Sequence, residues 1–509
     1  MENIALQVIL TLIPFAILMV GFLVLKMDAL KLSAIVYVIE FILCLAFFKL
    51  SFVDGLKATL WGNITLWNGF IVLWAGQVFG QCFRTTGALN VLLGSLTKIM
   101  PTKEGKAATI ISVVGGFLGA FNGFATYPVT IPGLTSLGVD GVKAATGYLV
   151  YFAWSIPFVS LFVAANIASA ATQLPIAQIV QVMGMFTFPL IVISVFGSFK
   201  IFGFSFKDKE TLAIAILMSL CNILSVLIFT QLFPDMYILT LIFAAAFSMV
   251  GLYLFSKKYD KAARAAEEEG EHFSVGTVLK AFAPLIACCI FVIINSNWLS
   301  GVANATTIHV ALFGKTTDMN WMTTPGYYVL LTAICCYIFC VKKTSSLGKD
   351  IAIATKRSLP SLATLFFGGA MVQLMLDTSQ LTVLGSVMAQ WGEVVYAALL
   401  SCLTFLAGIC FGQGMPAARM FAVQGSSIAS TIGMSAIFLV GLSTLVTMGP
   451  ANPLKPSLLK YTSSLAGVKG EDGRMFTIMF KWQIFQLVVI IATAIFLITC
   501  TNVAHTFGM

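Results

Sequence analysis

Twelve stretches of the chain run for about twenty residues with almost no charge, the length a helix needs to cross the hydrocarbon core of a bilayer. They lie at about 4–25, 32–50, 63–83, 144–170, 176–199, 210–232, 236–256, 277–297, 326–341, 358–376, 433–460 and 475–499. In lipid no backbone N–H or C=O can be left unpaired, so runs of this kind admit helices and little else. Composition agrees. Of 509 residues, 59% are hydrophobic and 10% charged, whereas a soluble chain carries about a quarter charged. The expected fold class is therefore an all-α polytopic membrane protein. The first run has no basic segment before it and no small-residue cleavage site after it, so it is expected to be an uncleaved helix.

The net charge of +9 resides in short basic loops between apolar runs, at 26–31, 84–106, 200–209, 257–264, 342–357 and 469–474. That is the pattern of cytoplasmic loops, not of a nucleic-acid surface. Two further apolar stretches, 107–138 and 395–430, are interrupted by small residues, glycines and a proline. All six basic loops share one side only if each of these returns to the side it entered. The expectation is thus about 12 crossings, two re-entrant helical hairpins and both termini outside an inner (plasma) membrane. The run Glu267-Glu268-Glu269 reads as a solvated linker. The 11 cysteines sit in apolar runs without metal-site or disulfide spacing, and the three histidines form no cluster, so no cofactor or metal is expected.

A repeat underlies the spans. Gly76, Gln81, Thr86, Leu89, Val91 and Leu92 recur 292 positions later as Gly368, Gln373, Thr378, Leu381, Val383 and Leu384. Gly94 and Ser95 recur at 291, as Gly385 and Ser386. Phe117-Leu118 and Phe405-Leu406 follow in the same order. The first copy of this helix ends inside at Arg84 and the second outside at Asp377, so the two repeats are expected to be inverted. The implied domains are 1–209, with its hairpin at about 107–138; a linking pair of helices and charged loop at 210–276; and 277–509, with its hairpin at about 395–430. Inverted repeats are characteristic of secondary transporters, which bind substrate near the midplane where the repeats meet.

Four interruptions pair under this symmetry. The expected hairpin tips are 121–128 and 412–419, where glycines permit a turn and Pro128 and Pro416 suit the start of a new half-helix. Unwound spans are expected at 153–157 and 447–456, the second holding Pro450, Pro453 and Pro456. Half-helix N-termini carry free N–H groups and a positive dipole end, which hold anions. Candidate substrate-binding side chains around them are Asn122, Thr126, Tyr127, Thr130, Ser155, Gln413, Asn452, Lys455 and the symmetry-paired Gln81 and Gln373. Arg419 reads either as a clamp on a substrate carboxylate or as a cation reaching the outer interface. Lys455 binds an anion or caps unwound carbonyls. Asp377 is the candidate coupling residue, its other reading being an interfacial acid. Glu40 reads as a local structural partner.

The segment Gly116 to Phe124, with Pro128-Val129 and Leu137-Gly138, resembles the first signature of bacterial L-lactate permeases. Phe405-Leu406, Gly412, Phe421-Ala422 and Ile432-Gly433 are similar to their C-terminal hairpin. Pro456, Gly467, Lys469 and Phe476 are similar to the stretch after it. The resemblance implies a symporter of a 2-hydroxymonocarboxylate such as lactate or glycolate, coupled to protons, and kinship with elevator-type transporters built on paired hairpins. The chain departs from that family at Gly119 and Gly414, where the family has acidic residues. Sodium coupling, another small carboxylate or sulfonate, and a passive anion channel therefore stay open. The remaining expected partners are the lipid bilayer and, as an option, a second copy in a homodimer. No catalytic cluster suggests an enzyme.

Overall fold

The computed structural model describes residues 4–25, 27–259, 273–297, 300–411 and 414–507. The acidic run 267–269, part of the basic loop at 257–264, and Gln413 of the expected site lie outside them.

Among the described residues, eleven helices are long and apolar enough to cross a membrane, or twelve if the pair Gly141–Phe152 and Ile156–Thr172, bent by 59°, counts as one span. Polar caps start several of them: Asp28 accepts from the Leu30 and Lys31 N–H groups, and Asp208 from those of Glu210 and Thr211. Their outward faces are apolar. Ile9, Val24, Ile42, Leu220, Leu254 and Phe496 are each more than half exposed, a surface suited to lipid rather than water.

The count differs from the sequence expectation in its membership. Two of the eleven, Lys103–Phe121 and Glu393–Cys410, are hairpin arms. The run expected at 63–83 is Trp67–Thr85, preceded by a separate helix, Phe52–Ile64. These two lie antiparallel to Leu347–Asp377: Gly62 meets the Gly369 carbonyl, Trp74 Nε1 donates to Thr355 Oγ1 at 2.9 Å, and Gln81 Nε2 to Asp350 Oδ1 at 3.2 Å. The fold is also not wholly α. Strands Ile308–Leu312 and Lys315–Met319 pair antiparallel around Phe313-Gly314. Both turn residues have positive φ (57° and 74°), the two-residue turn that suits strand twist.

Each interrupted stretch folds back on itself. In the first hairpin, Lys103–Phe121 with Gly123–Ser136, Gly119 faces Thr126, Gly115 faces Thr130 and Gly133 faces Ile110. Its base closes where Lys103 Nζ donates to the Gly138 carbonyl at 3.1 Å. The second hairpin, Glu393–Cys410 with Gly414–Ile428, closes at His505, which sits 3.7 Å from Glu393 Oε2 and 3.1 Å from the Gly433 carbonyl. The two bases lie at opposite ends of one helix, Asp472–Cys500. Gly141, just past the first base, packs on Ala466 and Val468 before that helix, whereas His505 follows its end. At 29 residues this helix is about 43 Å long, so the hairpins enter from opposite ends and their tips meet in between.

The basic loops other than 26–31 gather at the end of the first base. Lys143 lies beside Gly203, Gly141 beside Ala466, the Thr86 carbonyl accepts from the Lys342 N–H at 3.0 Å, and Lys258 sits near Glu210.

Candidate functional site

The first tip forms because Asn122 leaves the helical region (φ −158°, ψ 113°), ends one arm and starts the next. Its Oδ1 accepts from the Phe124 N–H at 2.9 Å, capping the new helix. Gly76 makes room for it, since a Cβ there would stand 2.9 Å from Asn122 Cγ. The second arm therefore begins at Gly123 and not at Pro128, which lies inside it together with Pro132. The side-chain cap decides the start, and the prolines only remove hydrogen bonds further along. In the second hairpin the new arm begins at Gly414, and Pro416 falls in its first turn, where its missing N–H costs nothing.

The expected unwound segments are present. Gly141–Phe152 stops before Pro157, and a 3-10 turn, Ile156–Phe158, leads into Val159–Thr172. Ser160, Leu161 and Phe162 then adopt left-handed φ (51°, 54° and 62°). A left-handed turn costs on the order of 1–2 kcal/mol per residue, so its surroundings must hold it. Leu161 and Phe162 are fully buried, the Phe162 ring packs on Phe158 and Tyr237, and Asn166 Nδ2 donates to the Phe162 carbonyl at 3.0 Å. In the other half, Ala436–Met448 stops at Gly449-Pro450, a 3-10 turn spans Asn452–Leu454, and the helix Pro456–Leu465 follows.

A cavity of about 510 Å³ lies where these four breaks converge. The opening residues of three helices face it, Gly123-Phe124, Gly414-Met415 and Ser457-Leu458, beside Val159-Ser160 of the left-handed turn. The positive dipole ends of the three helices make the wall attractive to anions. Asn122, Tyr127, Asn452 and Lys455 line it, with Thr364 and Ser361 from Leu347–Asp377 and an apolar surface of Val72, Phe152, Ile156, Val163 and Met448. Lys455 is 4% exposed. Among the described residues no side chain or carbonyl is paired with its ammonium. Asp28, an exposed residue at the start of Ala29–Phe47, is the acid in this wall, and with exposed Ser457 it marks the mouth.

A buried ammonium without a partner is expensive in a protein interior. A carboxylate in the cavity would supply the missing charge and accept from it. The apolar surface would take a short aliphatic body.

Several expected site residues lie elsewhere. Thr126 and Thr130 are buried behind the first tip and bond carbonyls of their own helix, those of Gly123 and Thr126. Ser155 donates to the Phe152 carbonyl. Gln81 and Gln373 sit outside the cavity, in two clusters of the same chemistry. Gln81 donates to Asp350 and accepts from Arg84 at 2.6 Å and Arg357 at 3.0 Å, with Thr85 and Tyr337 also bonded to Asp350. Gln373 donates to Asp377 at 2.7 Å and accepts from Arg419 at 2.6 Å. Arg419 is thus buried against Gln373 rather than aimed into the cavity, and Asp377 is also ion-paired to Lys315 at 2.5 Å. Sequence reasoning missed Asp28, Ser160, Ser361 and Thr364. Ser361, next to Pro360, and Thr364, one turn past it, share a face of a regular helix and carried no signal beyond that proline.

The chain is similar to a lactate permease. Over 339 residues it is 24% identical to an L-lactate permease of Streptococcus iniae, covering 64% of this chain and 70% of that protein. No protein-family model matches it. With the apolar helices, this likeness marks a multi-pass membrane protein and points toward a transporter rather than an enzyme.

Proposed function

We propose that the protein is a secondary active transporter of a small organic anion, a 2-hydroxymonocarboxylate such as lactate or glycolate, driven by protons. The observation that carries this reading is Lys455, buried and without a partner among the described residues, in the wall of a cavity onto which three helix starts open. One ammonium favours one carboxylate, and the N–H groups of Gly123 and Gly414 are placed to share it. The similarity to an L-lactate permease supports the choice of anion.

The same reading takes the halves 1–209 and 277–509 as inverted repeats joined by 210–276. Hairpin bases at opposite ends of Asp472–Cys500 support it, as do the matched clusters around Gln81 and Gln373. An elevator motion would carry hairpins and cavity together across the bilayer. The end rich in basic loops would face the cytoplasm and both termini the outside of the inner membrane.

The test is uptake of labelled L-lactate by proteoliposomes with an inward proton gradient. Internal lactate should exceed the external concentration. Uptake that never passes equality, whatever gradient is imposed, would mean a channel. No uptake of lactate or glycolate, and no thermal stabilisation by either, would end the monocarboxylate reading. Sodium in place of the proton gradient separates the two coupling schemes.

A further inference from the structure

We infer that Glu40 is the proton-binding residue of this transporter, held as a neutral acid in a carboxylic acid–amide pair with Gln380 whenever the cavity is open to the basic-loop end. The inference rests on the transport reading above and assigns its coupling site.

Glu40 is the twelfth residue of Ala29–Phe47, a 19-residue span. It is 0% exposed, as is Gln380. Gln380 Nε2 donates to Glu40 Oε1 at 2.6 Å, and Cys44 Sγ donates to the same oxygen at 3.0 Å. The orientation of the Gln380 amide is set independently: Thr378 gives its hydroxyl hydrogen to the Leu374 carbonyl, so its oxygen must accept from Gln380 Nε2, at 2.9 Å. Two oxygens of this pair then have no partner among the described residues, Glu40 Oε2 and Gln380 Oε1. With Glu40 ionised, both are buried bare acceptors, one sharing a full charge at membrane depth. A single proton on Oε2 turns them into a donor and an acceptor. An acid and a primary amide joined by one N–H···O bond complete their second bond in this way.

Cys44 is the titratable group in direct contact. The first helix, Ile4–Met19, and the helix Gln380–Ala389 carry no ionisable side chain, and Phe52–Ile64 carries only Asp54 and Lys57, exposed and paired with each other at 2.9 Å. Asp377, three residues before Gln380, is committed to Lys315 and Gln373.

The pair is also placed to couple. Ala29–Phe47 borders the cavity through Asp28, Ala29 and Leu30, and Leu347–Asp377 borders it through Pro360, Ser361 and Thr364. Glu40, past the middle of Ala29–Phe47, joins that helix to Gln380, three residues beyond the end of Leu347–Asp377, at the end where the cavity does not open. Losing the proton leaves a bare buried carboxylate, which drives the pair apart and opens that end. The proton is taken up as an O–H bond at Oε2 while the pair stands apart, and it leaves as H⁺ toward the basic-loop end before the pair separates again, the direction that uptake with lactate requires.

Proteoliposomes loaded for L-lactate uptake test this with wild type, Glu40→Gln and the swapped pair Glu40→Gln with Gln380→Glu. A gradient of about one pH unit should give wild type up to about tenfold accumulation. Glu40→Gln keeps an amide pair and should lose all accumulation above equality, while lactate counterflow, which needs no net proton movement, stays within about twofold. The swapped pair restores an acid–amide contact and should recover pH-driven accumulation. Wild-type accumulation by Glu40→Gln overturns the inference. Should wild type move no lactate at all, the transport reading fails by itself. Infrared spectra of wild type near pH 7 then decide the inference: a protonated-carboxyl C=O band supports it, and its absence sinks it. The same spectra decide it if the variants do not fold.

Discussion

Replacing Lys455 by methionine separates a binding role from a structural one. Methionine keeps most of the apolar stem and removes the charge, so the wall of the cavity changes little. If Lys455 meets the substrate carboxylate, the loss is that of a charge-assisted hydrogen bond shielded from water, about 1.5–3 kcal/mol. At about 1.4 kcal/mol per decade this weakens lactate binding by roughly 10- to 150-fold. A bare Coulomb estimate, about 4 kcal/mol at 4 Å and an effective dielectric of 20, sets a ceiling that the lactate's own desolvation brings down. Stability should move the other way. Lys455 is 4% exposed and has no partner among the described residues, so removing the charge relieves a burial cost instead of breaking a contact. The assay is isothermal titration of lactate into detergent-solubilised protein, paired with thermal unfolding in the absence of ligand. Expected are a much weaker Kd and a Tm equal to or above wild type. Wild-type affinity would refute the placement of the anion at Lys455. A sharply lowered Tm would refute the claim that the ammonium lacks a structural partner.

Three further outcomes follow from the same geometry. A Cβ on Gly414 would stand 3.6 Å from Lys455 Nζ, with the mobile Met448 sulfur the atom that must shift. Gly414→Asp should therefore cage the ammonium with its own carboxylate and cut lactate binding at least as far as Lys455→Met, whereas Gly414→Asn should spare most of it; equal effects would discount the charge. Arg419→Gln removes the donor held 2.6 Å from Gln373 but touches no wall of the cavity, so lactate affinity should stay within about twofold while the uptake rate falls; a Kd shift beyond tenfold would return Arg419 to the site. At the base of the second hairpin, the Gly433 carbonyl raises the His505 pKa above its ordinary 6.5. A raised folded pKa contributes stability that is complete below the unfolded value and fades as pH climbs through the folded one. With His505 about a third exposed, the term is no more than about 0.2–1 kcal/mol. Thermal unfolding should show it as a wild-type advantage over His505→Asn at low pH that disappears at high pH; an advantage growing with pH would contradict the assignment.

The breaks in the helices were readable because their causes are local. Asn122-Gly123 cannot continue a helix cheaply, and neither can Pro450, Pro453 and Pro456 in one span. Where a local rule was too simple, it failed locally: Pro128 sits within the second arm because the Asn122 side chain caps the helix five residues earlier. The strands 308–319 escaped notice since a short β-branched stretch around Phe313-Gly314 has the hydropathy of a loop.

Apolar runs near twenty residues, charge asymmetry and repeated helix ends determined by themselves that the chain spans a membrane many times and folds two segments back on themselves, because lipid forbids unpaired backbone and loops take their side from charge. Tertiary structure alone decided which polar groups serve. Lys455 and Arg419 both read as buried cations in apolar surroundings, and Glu40 read as less interesting than Asp377. Their surroundings part because Gln373 lies 2.6 Å from Arg419, Lys315 lies 2.5 Å from Asp377, and among the described residues nothing pairs with Lys455 or with the second oxygen of Glu40. Those partners come from a helix and a strand 46 and 62 residues away, and the free energy of a buried charge is set by what stands within a few ångströms of it, not by its neighbours along the chain.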